Sequence, residues 1–180
     1  LLKGLDIDFE VIVKPDISEE FPPFLSMMEI PVYLAEFKSG FYNDLISEKT
    51  LVITADTIVW HQGKLVGKPG DMEDAGRILQ GLSGDMHEVV TGVCIRSALN
   101  RAVFSSYSKV YFRKLSDEEI GYYLEHYRPF DKAGAYGIQE WIGYIGIEKI
   151  EGSFYNVMGL PVQQLYSELI SFLQQSYRKS

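Results

Sequence analysis

An α/β fold, with a mixed twisted sheet and flanking helices, is the architecture this 180-residue sequence predicts, and three observations lead to it. Apolar runs of strand length interleave with segments whose apolar residues recur at helical spacing. Residues 51–55, LVITA, form a continuous apolar run of the kind found in a strand buried on both faces. Two long β segments, 87–97 and 101–113, are joined by a short turn around Asn100, which adds an antiparallel pair to the sheet.

The elements follow in order. Residues 9–13, FEVIV, read as a short strand, and the proline-rich stretch 14–24 as an irregular loop. A helix is expected over 31–45, because Pro31 suits a first turn and Val32, Leu34, Ala35, Lys38 and Phe41 fall at helical spacing. After the apolar strand, residues 58–60 and 64–66 flank His61-Gln62-Gly63, a small hairpin turn. Residues 71–82 open with acids and carry Met72, Ala75, Ile78 and Leu79, an amphipathic helix ending near Gly81. Ser116 with Glu119 forms a capping-box pattern that launches a helix to about His126. Residues 138–150 have strand character interrupted by Gly143 and Gly146. Gly159-Leu160-Pro161 then opens a last amphipathic helix bearing Val162, Leu165, Leu169, Phe172 and Leu173. Residues 176–180 read as a frayed tail.

Composition narrows the function. With 17 Lys+Arg against 25 Asp+Glu the net charge is −8, so stable binding to nucleic acid, whose phosphates reward clustered cations, is not expected. Apolar residues make up 46% and run from end to end, which fits one domain over 1–180 with a single core and excludes general disorder. No stretch approaches the roughly 18 apolar residues that cross a bilayer, so no membrane partner is expected. Cys94 is the single cysteine, which rules out an internal disulfide and a thiolate zinc cluster and points to the cytoplasm.

Four segments carry chemistry. Ala55-Asp56-Thr57 sets a carboxylate at the end of the apolar strand, where it could hold Mg²⁺, orient a water, or simply form a turn. Gly67-Lys68-Pro69 fixes a lysine beyond the hairpin, suited to a phosphate or to an ordinary exposed turn; it is not a Walker loop, for the chain contains no GxxxxGK[ST]. Residues 131–139, DKAGAYGIQ, pack Asp131, Lys132, small residues and Gln139 between apolar flanks, either as a ligand loop or as a loop with an internal ion pair. Glu19, in the acidic run 18–20, Glu29 and Lys38 suggest a metal–phosphate site or a solvated charged face. His61, His87 and His126 form no ligand pattern, and Cys94, between Val93 and Ile95, reads as a core residue.

Taken jointly, these segments resemble the Maf family of nucleoside triphosphate pyrophosphatases. The matching stretches are ADTIV at 55–59, GKP at 67–69, LSG at 82–84 with His87 and TGV at 91–93, DKAGAYGIQ at 131–139, and GSFYNVMGLP at 152–161. The resemblance implies a Maf/inosine-triphosphatase-like fold with a central cleft and hydrolysis of a triphosphate between its α and β phosphates. It also implies a divalent cation, Mg²⁺ or Mn²⁺, as cofactor, and a homodimer is compatible with it. The DKAGAYGIQ form looks like the branch acting on dTTP and UTP. Residue by residue, Asp56 matches the proton acceptor, with Asp56 and Glu19 as metal ligands; Thr57 and Gln139 match positions tied to substrate choice. Lys38, Lys68 and Lys132 match phosphate-binding positions and Asp131 another polar position of the site. Two departures stand out. The family opens with a strand and an S-x-S-P-R-R segment, whereas this sequence begins at Leu1-Leu2, so that segment is expected to precede it in the natural protein. Glu140 stands where the family usually has glycine, a change expected at the rim of the base pocket.

Rival readings are a catalytically silent nucleotide-binding or division-associated regulator and a pyrophosphatase for modified bases. A third is a nucleic-acid binder using Tyr107, Tyr111 and Phe112, against which the net charge of −8 argues.

Overall fold

The computed structural model describes residues 1–15, 17–47 and 50–177. Five strands, β1 Val52–His61, β2 Lys64–Val66, β3 Met86–Arg96, β4 Arg101–Phe112 and β5 Ile147–Glu151, form one sheet in the order β2-β1-β3-β4-β5. Six α-helices accompany it: α1 Glu29–Gly40, α2 Met72–Leu82, α3 Asp117–Tyr127, α4 Trp141–Gly146, α5 Phe154–Val157 and α6 Val162–Tyr177. The α/β reading with helices beside the sheet holds, and the sheet itself is antiparallel. Short connections explain the pairing. Gln62 and Gly63, at φ of 49° and 77°, close the β1–β2 hairpin in two residues, the left-handed backbone that matches strand twist. Between β3 and β4 the Ser97 hydroxyl accepts from the N–H groups of Leu99 and Asn100 and holds the turn.

The chain folds into two compact units whose boundaries fall inside β1, β3 and β4. The first comprises Leu1–Asp56, Thr91–Ser106 and Gly159–Ser180. Its core is Val93 and Ile95 of β3 against Leu165, Leu169 and Phe172 of α6, with Ile53 and Ala55 of β1 packed alongside. Full burial of a side chain such as Leu165 contributes about 1.5–3 kcal/mol. Helix α1 seats on β3 at Gly92, where a Cβ would lie 2.2 Å from the Pro31 carbonyl, so only glycine permits that approach. Helix α1 ends at Gly40 rather than continuing to residue 45; the Phe41 N–H turns back to the Lys38 carbonyl, and Asn43–Leu45 forms a separate 3₁₀ turn. The expected strand at 9–13 is not one. The segment makes no ladder among the described residues and leaves Val11 and Val13 exposed, because an apolar run becomes a strand only beside a partner. Its backbone is tethered instead to the end of α1, the Tyr42 hydroxyl donating to Ile12 O at 3.2 Å.

The second unit comprises Thr57–Val90 and Tyr107–Met158. Its core joins Ala75, Leu79 and Leu82 of α2 to Ile120, Tyr123 and Leu124 of α3, with Phe112, Tyr136, Ile138 and Ile142 packed in. Asp71 caps α2 by accepting from the Asp74 N–H, and Ser116 and Glu119 form the full capping box of α3. The stretch 138–150 is a short helix followed by a strand, not an interrupted strand: α4 takes 141–146 and β5 begins at Ile147. Gly143 is a helix position pressed against Ile138, whose carbonyl oxygen a Cβ would meet at 1.8 Å. At the C-terminus α6 continues to Tyr177, so the tail is helical there, and 178–180 lie outside the described residues.

Candidate active site

Asp56, expected at the end of the apolar strand, lies instead midway along a longer one: β1 runs unbroken to His61 and delivers the carboxylate to α1 in the first unit. Thr54 and Asp56, two residues apart, share one face of β1. The Thr54 hydroxyl donates to Ala35 O at 2.6 Å, which fixes the register of α1 against the strand. Lys38, one turn further along α1, then meets Asp56 in a salt bridge and donates to Glu19 Oε1 at 3.1 Å. The Asp56 side chain is only 9% exposed and that of Glu19 45%, so the Asp56 contact is the stronger of the two. Burial works against the Lys38 ammonium, yet the two carboxylates outweigh it and hold its pKa above the ordinary lysine value. The loop that carries Glu19 is anchored by Lys14, which donates to Phe41 O at 2.7 Å and pairs with Asp44 at 2.6 Å. Glu29, grouped with Glu19 by sequence, serves elsewhere: it accepts from the N–H and hydroxyl of Ser26 at the start of α1.

Two carboxylates converging on one cation are hard oxygen donors of the type that holds Mg²⁺ or Mn²⁺. No group of three or more His, Cys, Asp or Glu that could hold a metal ion occurs among the described residues. A divalent ion there would complete its shell with water and substrate oxygens, as Mg²⁺ usually does.

In the second unit the backbone links two of the segments singled out by sequence. The Gly134 N–H donates to Gly67 O at 3.1 Å, so the GKP and DKAGAYGIQ stretches are held together. Gly134 and Ala135 both take positive φ, 76° and 56°, which folds the 3₁₀ turn Ala133–Ala135 tightly. Lys132 Nζ lies 2.8 Å from Asp131 and 3.4 Å from Glu140. Asp131 is held below the usual carboxylate range chiefly by its hydrogen bond from Lys132, with Lys68 adding a smaller effect. Lys68 lines a pocket of about 430 Å³ with His61, Lys64 and Asp74 among its walls. Gln139 is exposed, next to the buried Ile138. Thr57, the residue after Asp56, faces the opposite side of β1 and is half-buried.

Three contacts of this loop escaped the sequence reading. Tyr123 of α3, fully buried, donates to Glu140 and accepts from the Gly137 N–H at 3.0 Å. His87, also fully buried, meets the Tyr136 hydroxyl through Nε2 at 2.7 Å, so this residue and Tyr136 pin the 131–139 loop to β3. Burial pushes His87 down to about 3, and its Nδ1 has no hydrogen-bond partner among the described residues. His87 stood in the sequence only beside the LSG stretch, more than forty residues before the loop, with no sign of the Tyr136 contact. Cys94 is buried as expected for a core residue, and burial raises its thiol pKa.

Comparison with known proteins adds the context. The family described as Maf-like protein matches residues 1–172. A Parabacteroides distasonis protein named dTTP/UTP pyrophosphatase is 56% identical over 172 residues, covering 96% of this chain and 89% of the relative. A Porphyromonas gingivalis protein of the same name is 56% identical over 174 residues, covering 96% and 87%. A Bacteroides fragilis relative, likewise named, is 48% identical over 169 residues, covering 94% and 88%.

Proposed function

Because the chain belongs to the Maf-like family, we infer that it is a nucleoside triphosphate pyrophosphatase acting on dTTP and UTP, releasing the monophosphate and pyrophosphate. The observation that carries this reading is the identity of 48–56% to relatives bearing that activity in their names, over 94–96% of the chain.

A triphosphate resists attack because its oxygens repel a nucleophile, so the protein must neutralise charge and orient a water. We assign that water to Asp56, whose carboxylate is held in one orientation by Lys38 and is largely shielded from bulk solvent. Asp56 and Glu19 would hold the divalent cation, their convergence on the Lys38 ammonium being the support for the pairing. When bound, such a cation neutralises phosphate oxygens and polarises the phosphorus they carry. Lys38, kept protonated by its partners, is then available as a positive charge for a substrate oxygen. Lys68 and Lys132 supply two more cationic donors, and Asp131 keeps Lys132 directed. Pyrimidine choice falls to Gln139, whose amide both donates and accepts, with Thr57 as its companion.

No helix among the described residues is long and apolar enough to cross a membrane. A cytoplasmic reaction is part of this proposal and rests on the single cysteine, Cys94, which suits a reducing compartment. Incubation with dTTP, UTP, dCTP, GTP and 7-methyl-GTP, with Mg²⁺ or Mn²⁺ and again with EDTA, tests the whole reading. Pyrophosphate release from dTTP and UTP that EDTA abolishes is the expected result; release from the purine nucleotides alone would overturn it.

A further inference from the structure

The 131–139 loop ends on Glu140, whose side chain does unusual work for its position. Glu140 is the N-cap residue of α4, yet its carboxylate makes no capping bond to that helix. It folds back over Gly137 instead, so closely that a Cβ there would lie 2.7 Å from Glu140 Cδ. One oxygen accepts from the buried Tyr123 hydroxyl, and that hydroxyl in turn accepts from the Gly137 N–H at 3.0 Å. The other oxygen lies 3.4 Å from Lys132 Nζ, which Asp131 meets at 2.8 Å. Tyr123 is thereby satisfied as both donor and acceptor, and it anchors the carboxylate to the core of the second unit.

We propose that Glu140 is a positioning residue for Lys132: anchored through Tyr123, it fixes where the ammonium points. The inference rests on the reading of Lys132 as a phosphate contact and adds to it the group that sets its direction. A lysine carries several freely rotating side-chain bonds, and a donor that must be oriented anew at each turnover stabilises developing charge less well than one already in place. Asp131 pairs with Lys132 but is itself exposed; Glu140 is the partner tied through Tyr123 to buried structure.

A double-mutant cycle in dTTP hydrolysis tests this with Glu140→Gln, Lys132→Met and the two combined. The amide of Glu140→Gln still accepts from Tyr123 but no longer draws the ammonium. Glu140→Gln is expected to lower kcat about fivefold to tenfold with KM changed less than about twofold, and to change kcat less than about twofold when Lys132 is already methionine. Structural damage from the substitution would persist in the Lys132→Met background. Equal losses in both backgrounds, or no loss in the parent enzyme, would overturn the positioning role while a large loss from Lys132→Met alone still supported the phosphate reading. A Lys132→Met enzyme with unaltered turnover would overturn that reading and the positioning role together.

Discussion

Lys38 and Asp56 are joined by a salt bridge from α1 to β1, and Glu19 meets the same ammonium from the preceding loop at 3.1 Å. The bridge orders the carboxylate before any substrate arrives. Asp56→Asn keeps the shape and removes the charge and the basic oxygen, so kcat should fall at least ~10²-fold if Asp56 takes the proton from water. Steady-state hydrolysis of dTTP at saturating Mg²⁺ measures this, and an unchanged rate would remove Asp56 from the base role.

Lys38 also links the site to stability at alkaline pH. Its folded pKa is raised above the ordinary 10.5, so its contribution is fully present below that value and is lost as pH rises through the folded pKa. Lys38→Met should therefore destabilise the protein at pH 8 by on the order of 1–3 kcal/mol. The gap between parent and variant should close well above pH 10.5. Chemical denaturation of both proteins at the two pH values gives the comparison; a gap that stays constant would show that lost packing, not charge, explains the variant.

Gln139 is exposed at the end of a loop whose preceding residues are buried, which leaves its amide available to a ligand. A site that pairs polar groups with a base edge rejects bases that leave those groups unpaired. Gln139→Ala should narrow the preference for dTTP and UTP over dCTP and GTP by about tenfold or more, mainly through loss of the preferred substrates. A nucleotide panel scored by kcat/KM measures the ratio, and an unaltered profile would move pyrimidine choice to other residues.

How far the sequence carried the reader differs between these sites for physical reasons. Asp56 was legible because a polar residue closing the run LVITA must either find a partner or reach solvent. Lys38 was legible because helical spacing sets it one turn beyond the buried face of Leu34 and Ala35. The run FEVIV misled because strand formation depends on a neighbour that local pattern does not reveal. Residues 141–146 misled because glycine reads as a breaker, whereas Gly143 is demanded by its contact with Ile138. The Tyr123–Glu140 contact had no sequence signal at all, since it exists only once α3 is packed behind the loop. Glu140 itself stood out only as a departure from a family pattern.

His87 offers the complementary test in acid. Its folded pKa is depressed by burial, to about 3, so the folded state resists protonation that the unfolded chain accepts near the ordinary 6.5. The unfolded state then binds more protons throughout the window between those values, and stability must fall as pH drops through it, by at most about 1.4 kcal/mol per pH unit from this one group. His87→Gln removes the titration while an amide can still meet the Tyr136 hydroxyl. The variant should be less stable than the parent at pH 7, through imperfect replacement of a buried ring, yet should lose stability less steeply between pH 6 and pH 4. Denaturant midpoints across that range decide the matter: parallel pH profiles would mean that other groups, and not the buried imidazole, drive the acid transition.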